Sequence, residues 1–178
     1  MFSDEQRQLL LRAARESIER HLRGEGDPQV PDADLPGASG VFVTIKRHGE
    51  LRGCLGVVEM RAPLIDEVVR CARDSATVDP RFPPMTEDEL PGTSIDISIL
   101  GPREAIDPPD AHAVIVGRHG LVVEQGHRRG LLLPQVAVEW GWTAEQFLSH
   151  TCRKAGLPSD AWRKGARVFR FAAEVFGE

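Results

Sequence analysis

The stretch Thr93–Leu100 limits the fold more than any other part of the chain. It alternates isoleucine with Asp96 and Ser98, which is the pattern of a strand with one buried face and one open face. Such a strand needs partner strands and a second layer that covers its apolar side. The rest of the chain must supply both.

Two amphipathic helices are predicted to form the covering layer. Residues 3–22 begin with Ser3 and Gln6 in a capping-box arrangement and continue with apolar residues at helical spacing. A second helix opens at Ala62–Pro63, with proline at the favoured first position and acidic residues in the early turns. Both helices therefore present one apolar stripe to a core.

The remaining strands are predicted to be joined by hairpin-length turns, which favours antiparallel pairing. Two short helices are also predicted, at 134–140 and 144–155, and residues 24–40 have the proline and glycine content of a long surface loop. The pattern predicts an α+β fold with a mainly antiparallel sheet flanked by helices. Its other strands are Val41–Arg47, Glu50–Val58, Ala113–Val116, Gly120–Gln125, Gly130–Leu133 and Val168–Phe176.

Length and charge narrow the class of protein. The 178 residues fit a single domain spanning 1–178. A net charge of -5 argues against non-specific nucleic-acid binding, because such binding depends on clustered lysine and arginine. No apolar run is long enough to span a membrane. Three cysteines without a CxxC pair or a signal peptide indicate a cytoplasmic protein rather than one with a disulfide framework.

The hexapeptide Leu51–Gly56 is the leading candidate site. It places Cys54 beside Arg52 and between two glycines, on the return strand of the hairpin around His48-Gly49. Strand alternation predicts that Arg52, Cys54 and Gly56 share one face. Gly56 would then leave space for a molecule to approach the sulfur, and Gly53 would permit a bulge or a close backbone contact.

An arginine near a thiol suggests two catalytic roles. Its positive charge would favour the thiolate form of Cys54, the nucleophilic form, or Arg52 would bind an anionic substrate beside the thiol. The alternative is a cysteine packed in the core, with Arg52 in a surface salt bridge. The hexapeptide alone does not separate these interpretations.

Two further segments are candidate ligand-binding elements. In the proline-stiffened loop after the second helix, Arg81 could clamp a carboxylate or phosphate, with Asp79 beside it. Alternatively, Asp79 only ends the helix and Arg81 pairs with a nearby acid. Gln135, after Pro134, offers an amide near a helix start where backbone N–H groups could meet an anion, although an ordinary helix start explains it equally well.

The other cysteines and the histidines have simpler interpretations. Cys71 and Cys152 fall in predicted helices and are expected to pack in the core. His150 cannot share a metal with Cys152 from one unbroken helix, since residues two apart point about 200° apart. His150 is therefore a surface residue or reaches a neighbouring cleft. Neither metal nor cofactor is expected, and the histidines predicted to lie in solvated turns are His112, His119 and His127.

Four segments together resemble the AMMECR domain family, in order and at fitting distances. The branch that the chain resembles is AmmeMemoRadiSam system protein A. The resemblance implies an α+β fold in two unequal subdomains, with the Arg-Gly-Cys motif beside a cleft. The segments are Leu51–Gly56, Asp79–Pro84, residues 130–136 with Gly141-Trp142, and Phe147–Leu157.

The resemblance also implies partners and a set of site residues. The partners are a Memo-like protein related to extradiol dioxygenases and a radical SAM protein. Cys54 and Arg52 are predicted to be catalytic in an enzyme or carrier that acts on a small anionic metabolite. The alternative is a non-catalytic adaptor, and nucleic-acid regulation is disfavoured. The residues predicted to bind substrate are Gly53, Asp79, Arg81, Gln135 and His150.

Overall fold

The computed structural model describes residues 1–31 and 33–178, which form two compact units. The first unit contains Met1–Leu100 and Glu174–Glu178, and the second contains Gly101–Ala173. The predicted α+β class, with antiparallel strands and flanking helices, is confirmed. The predicted loop over residues 24–40 includes Asp32, which lies outside the described residues.

In the first unit, an antiparallel sheet is covered on one face by two helices. The central strand β1 (Gly40–Arg47) pairs with β2 (Glu50–Val57) on one side and with β3 (Thr93–Leu100) on the other. Helices α1 (Asp4–Leu22) and α2 (Leu64–Thr77) bury their apolar stripes against it. The alternating apolar residues of β1 and β3 form the core. They are Val41, Val43, Ile45, Ile95, Ile97 and Ile99.

The helix boundaries follow from their capping residues. The amide of Gln6 donates to the Ser3 hydroxyl (3.2 Å) and the amide of Ser3 donates to the Gln6 side chain (2.9 Å), so the predicted capping box is confirmed. Pro63 is the N-cap of α2 rather than its first helical residue. Thr86 and Glu89 form a second capping box, which starts a single 3-10 turn, Glu87–Glu89. None of the described helices is both long and apolar enough to cross a membrane.

In the second unit, strand β7 pairs antiparallel with β4 on one side and with β5 on the other, and β5 also pairs with β6. Helix α4 packs against β5 and β6. The end of β7, from Glu174, belongs to the first unit. The elements are β4 (Glu104–Ala105), β5 (His119–Gln125), β6 (Arg128–Leu132), α3 (Pro134–Glu139), α4 (Ala144–Lys154) and β7 (Arg167–Gly177).

The predicted strand Ala113–Val116 is wrong. The Asp110 carboxylate accepts the amide of His112 and starts a 3-10 turn over Ala111–Ala113, so the chain turns where a strand was expected. Val114 is buried although it lies in no strand. The apolar composition of Ala113–Val116 therefore reflects burial and not strand pairing. An apolar run of four residues indicates burial but does not by itself indicate a strand.

The solvated-turn interpretation of His119 is also wrong. This histidine begins β5 and is buried, and its Nδ1 accepts the amide hydrogen of Ile115 at 3.0 Å. Burial lowers the pKa of His119 below its usual value. The imidazole therefore serves as an internal acceptor that closes the loop before β5.

Candidate functional site around Cys54

Cys54 lies on the outer strand β2, opposite Thr44 of β1. The Thr44 hydroxyl donates a hydrogen bond to the Cys54 sulfur at 3.2 Å. The thiol is half-buried. Cys71 and Cys152 are buried, which confirms their predicted core packing. Among the three cysteines, Cys54 is therefore the one whose thiol is partly accessible.

The Asp79–Arg81 pair holds the Cys54 peptide on the side that faces away from β1. Asp79 Oδ2 accepts the Cys54 amide hydrogen at 2.9 Å, and Arg81 Nη2 donates to the Cys54 carbonyl at 3.1 Å. Arg81 also donates to both Asp79 oxygens, at 3.0 and 2.7 Å. The pair thus satisfies the two backbone groups that a neighbouring strand would otherwise pair.

Asp79 is fully engaged and only 4% exposed. Hydrogen bonds from the Arg81 guanidinium and the Cys54 amide hold the pKa of Asp79 well below its usual range, although burial opposes this shift. The pKa of Arg81 is raised, first by its hydrogen bonds to Asp79 and in smaller part by the Cys54 thiol. The Arg81 guanidinium is thus a cation held at the Cys54 peptide. Whether Asp79 and Arg81 bind substrate stays a prediction.

Gly53 brings β2 into close contact with helix α2. A Cβ atom at Gly53 would lie 2.0 Å from the carbonyl oxygen of Ser75. The Ser75 hydroxyl accepts the amide hydrogen of Leu55 at 2.8 Å and donates to the Val43 carbonyl at 2.7 Å. The close backbone contact predicted for Gly53 is present, and it is to α2.

A β-bulge at Arg52 changes which face Cys54 occupies. Ile45 pairs with Gly53 and Lys46 pairs with Leu51, so Arg52 is an extra residue in β2. Simple alternation therefore fails between Arg52 and Cys54. The bulge places Cys54 opposite Thr44, on the face that the buried side chains of β1 do not use.

Arg52 is bound to Glu89 rather than left free beside the thiol. Its Nε and Nη2 atoms donate to the two Glu89 oxygens at 2.9 and 3.1 Å, and Nη2 also donates to the Pro83 carbonyl at 3.0 Å. Both Arg52 and Arg81 lie over the ring of Phe82, at 5.9 and 5.6 Å from its centroid. The catalytic role of Arg52 stays a prediction.

The space expected at Gly56 is filled. A Cβ atom there would lie 2.2 Å from the Val41 carbonyl and 2.6 Å from the ring of Phe42, its cross-strand partner. Gly56 is therefore required for packing against β1, and the expectation that it opens a path to the sulfur is wrong. The missing side chain accommodates an aromatic ring of the protein itself.

Comparison with known proteins identifies the family. The AMMECR1 family model matches residues 11–176. The chain belongs to the AMMECR1 family. It is 49% identical to a protein of Methanothermobacter thermautotrophicus, over 95% of this chain and 92% of that protein. It is 44% identical to protein PF1979 of Pyrococcus furiosus, over 98% of this chain and 89% of that protein.

A solved structure agrees with the AMMECR1 fold described above. The crystal structure of the uncharacterized protein PH0010 from Pyrococcus horikoshii is 42% identical to this chain. The match covers 99% of this chain and 93% of that one, with a TM-score of 0.85. This resemblance supports the α+β architecture over essentially the whole AMMECR1 chain.

The remaining predicted site residues of this AMMECR1 protein belong to the second unit. The His150 ring stacks on Trp142, with ring centroids 3.8 Å apart and planes within 2°. Gln135 is the exposed second residue of the short helix α3. Their roles in binding substrate stay predictions. Within residues 1–31 and 33–178, no group of three His, Cys, Asp or Glu residues could hold a metal ion.

Sequence reasoning missed three residues around the Arg-Gly-Cys motif of this AMMECR1 chain. Thr44 contacts the sulfur, Ser75 joins β1 to β2, and Glu89 binds Arg52. The sequence contains an indication for Glu89, because its capping box with Thr86 lies directly after the candidate loop Asp79–Pro84. Counting pairs from the His48-Gly49 turn would have placed Thr44 opposite Gly53, since the bulge is invisible in the pattern.

Proposed function

We propose that Cys54 is the reactive group of a cysteine-dependent enzyme or carrier that acts on a small anionic molecule. The observation that carries this proposal is the surroundings of Cys54: the residue is half-buried, its sulfur accepts a hydrogen bond from the Thr44 hydroxyl, and the Arg81 guanidinium binds its backbone carbonyl. Partly accessible cysteines with a hydrogen-bond donor and a cation nearby are typical of reactive thiol sites.

The other two thiols lack this environment. Burial raises the pKa of Cys71 to about 11 and also raises the pKa of Cys152. Thiols that are buried and protonated at neutral pH are poor nucleophiles. The contrast favours chemistry at Cys54 alone.

In the proposed reaction, Cys54 gives its proton to water and the sulfur displaces a leaving group from an electrophilic carbon of the substrate. The S–C bond of the covalent intermediate forms as the bond from that carbon to the leaving group breaks, and the leaving group departs with the electron pair. Arg81 orients the anionic group, since its guanidinium remains half-exposed while it holds Asp79. Asp79 is a positioning residue, because its carboxylate fixes both the Cys54 amide and the Arg81 side chain.

Thiol reactivity tests this proposal. The iodoacetamide alkylation rate of Cys54 at pH 7, followed by peptide mapping, should exceed that of an unstructured cysteine peptide, and Arg81→Gln should lower it up to about tenfold. Arg163→Gln, in the second unit, is the matched control and should leave the rate unchanged. A Cys54 rate no higher than that of the peptide, together with full cellular function of Cys54→Ser, would reject the proposal.

A second candidate function is a non-catalytic adaptor, and exposed apolar residues in the second unit favour it. Ile115, Val138 and Trp140 are 51%, 58% and 70% exposed. Exposed apolar side chains are typical of surfaces that contact another protein. In this proposal the chain is the AmmeMemoRadiSam system protein A, and it binds a Memo-like or radical SAM protein in the cytoplasm.

Binding of purified partners distinguishes the two candidates. The adaptor proposal expects a Memo-like or radical SAM protein to bind the wild type and the Cys54→Ser variant equally, and to bind Trp140→Ala at least tenfold more weakly. Val175→Ala, at an exposed apolar residue of the first unit, is the control. Absence of binding to both purified partners would remove the adaptor role.

A further inference from the structure

A charged hollow lies at the turn end of the β1–β2 hairpin, entirely within the first unit. Its volume is about 420 Å³, and it is lined by Arg47, His48, Glu50, Leu51 and Arg52. Cys54 and Arg81 are not among these lining residues. Arg47 has no role in the chemistry proposed above.

Two arginines at this hollow share one carboxylate. Glu89 Oε1 accepts from Arg47 Nη1 at 3.2 Å and from Arg52 Nε at 2.9 Å. The hydrogen bonds from Arg52, then the hydrogen bond from the Thr86 amide and the charges of the two arginines, lower the pKa of Glu89 to about 2, although burial opposes this shift. Glu89 therefore stays ionised at neutral pH, and it faces two guanidinium charges.

Each arginine also has a buried nitrogen that lacks an acceptor. Arg47 Nε and Arg52 Nη1 are buried and have no hydrogen-bond partner within residues 1–31 and 33–178. A buried guanidinium N–H without an acceptor costs free energy. The two nitrogens belong to different arginines that line the same hollow, so each arginine there retains one N–H group that no residue of the described chain accepts.

We propose that Arg47 and Arg52 bind the phosphate group of a small molecule in this hollow. A tetrahedral phosphate presents oxygens in several directions, so one group can accept from two guanidiniums at once. A carboxylate presents two oxygens in one plane, and Glu89 already supplies that geometry to Arg52. The site does not depend on a reactive Cys54.

Glu50 offers a substitution that should strengthen phosphate binding instead of weakening it. It lies at the same hollow, is exposed, and forms no ion pair within the described parts of the chain. Its negative charge opposes a bound phosphate. Removing that charge should strengthen phosphate binding, whereas removing the charge of Arg47 should weaken it.

Titration with inorganic phosphate at constant ionic strength tests the site, with the arginine Nε–Hε NMR signals as the readout. We expect the Arg47 and Arg52 signals to shift saturably, Arg47→Gln to weaken binding at least about tenfold, and Glu50→Gln to tighten it about two- to fivefold. Arg12→Gln, an exposed arginine on α1, is the matched control and should leave the affinity unchanged.

Three outcomes would overturn the site. They are unchanged Arg47 and Arg52 signals at saturating phosphate, equal affinity of Arg47→Gln and Arg12→Gln, or acetate binding as tightly as phosphate. Circular dichroism establishes that each variant is folded. Alkylation of Cys54 is measured in the same variants, so failure of the phosphate site and failure of the thiol proposal are observed separately.

Discussion

Two ion-pair groups lie along strand β2, and they differ in how completely their hydrogen bonds are satisfied. Asp79 and Arg81 form hydrogen bonds with each other and with the Cys54 peptide. Arg47, Arg52 and Glu89 leave two buried guanidinium nitrogens without an acceptor. The first group holds the Cys54 peptide in place, whereas the second retains N–H donors for the proposed phosphate ligand.

Burial also separates the two carboxylates. The Asp79 side chain is 2% exposed and the Glu89 side chain is 15% exposed. Removing the more buried carboxylate should lower the free energy of unfolding more, because water cannot replace the lost partners.

Asp79→Ala should lower the free energy of unfolding by about 3 kcal/mol, because it leaves the Cys54 amide and the Arg81 guanidinium without their acceptor. Urea denaturation measures the effect. Asp4→Ala removes an exposed carboxylate that also pairs with an arginine, and it should cost less than about 0.5 kcal/mol. Equal losses in the two variants would show that the Asp79–Arg81 pair does not hold β2.

Gly53→Ala should lower the free energy of unfolding by about 2 kcal/mol, since the new methyl group meets the Ser75 carbonyl oxygen and forces β2 away from α2. Gly37→Ala is the control: nothing lies within 4 Å of a Cβ atom there, so stability should be unchanged or slightly higher. Thermal unfolding measures both variants. A neutral Gly53→Ala substitution would contradict the close contact between strand and helix.

Glu89→Gln should lower the free energy of unfolding by about 1 to 2 kcal/mol at pH 7. It should also make the free energy of unfolding less dependent on pH between pH 5 and pH 2. The pKa of Glu89 is lowered to about 2 in the folded protein, so its contribution is present above the unfolded value of about 4.3 and is lost as the pH falls towards 2. Urea denaturation from pH 5 to pH 2 measures the slope.

Glu50→Gln is the control for that slope, because Glu50 forms no ion pair within residues 1–31 and 33–178. It should keep the wild-type pH dependence. If Glu89→Gln retains the same acid slope as Glu50→Gln, the pairing of Glu89 with the two arginines does not stabilise the fold.

Thr44→Val should have the smallest effect on stability, within about 1 kcal/mol, since valine keeps the shape and removes one hydrogen bond to sulfur. The alkylation rate of Cys54 should nevertheless fall about two- to fivefold, because the thiolate loses a donor. Thr77→Val is a matched control for the rate. An unchanged rate in Thr44→Val would leave Arg81 as the sole proposed activator of the thiol.

Most of the first unit's architecture is predictable because its signals are local. The Ser3 capping box, the alternation in Thr93–Leu100 and the turn at His48-Gly49 each depend on neighbouring residues. Ala113–Val116 was mispredicted because a side-chain hydrogen bond from Asp110 outweighed a weak strand pattern.

The candidate site was predictable as a set of residues but not as an arrangement. Cys54, Asp79 and Arg81 were singled out from the sequence, and in the structure they contact one another. The sequence did not indicate that Arg52 binds Glu89, since that pairing requires the loop after α2 to return to β2. Ion pairs between distant segments depend on how the chain packs.

The sequence by itself determined the α+β class, the hairpin around Leu51–Gly56 and the buried character of Cys71 and Cys152. Only the tertiary structure decided where the Cys54 thiol points. Without the bulge, the turn at His48-Gly49 would pair Cys54 with Val43 on the core side. One extra residue at Arg52 shifts the register to Thr44, because strand side chains alternate with a period of two.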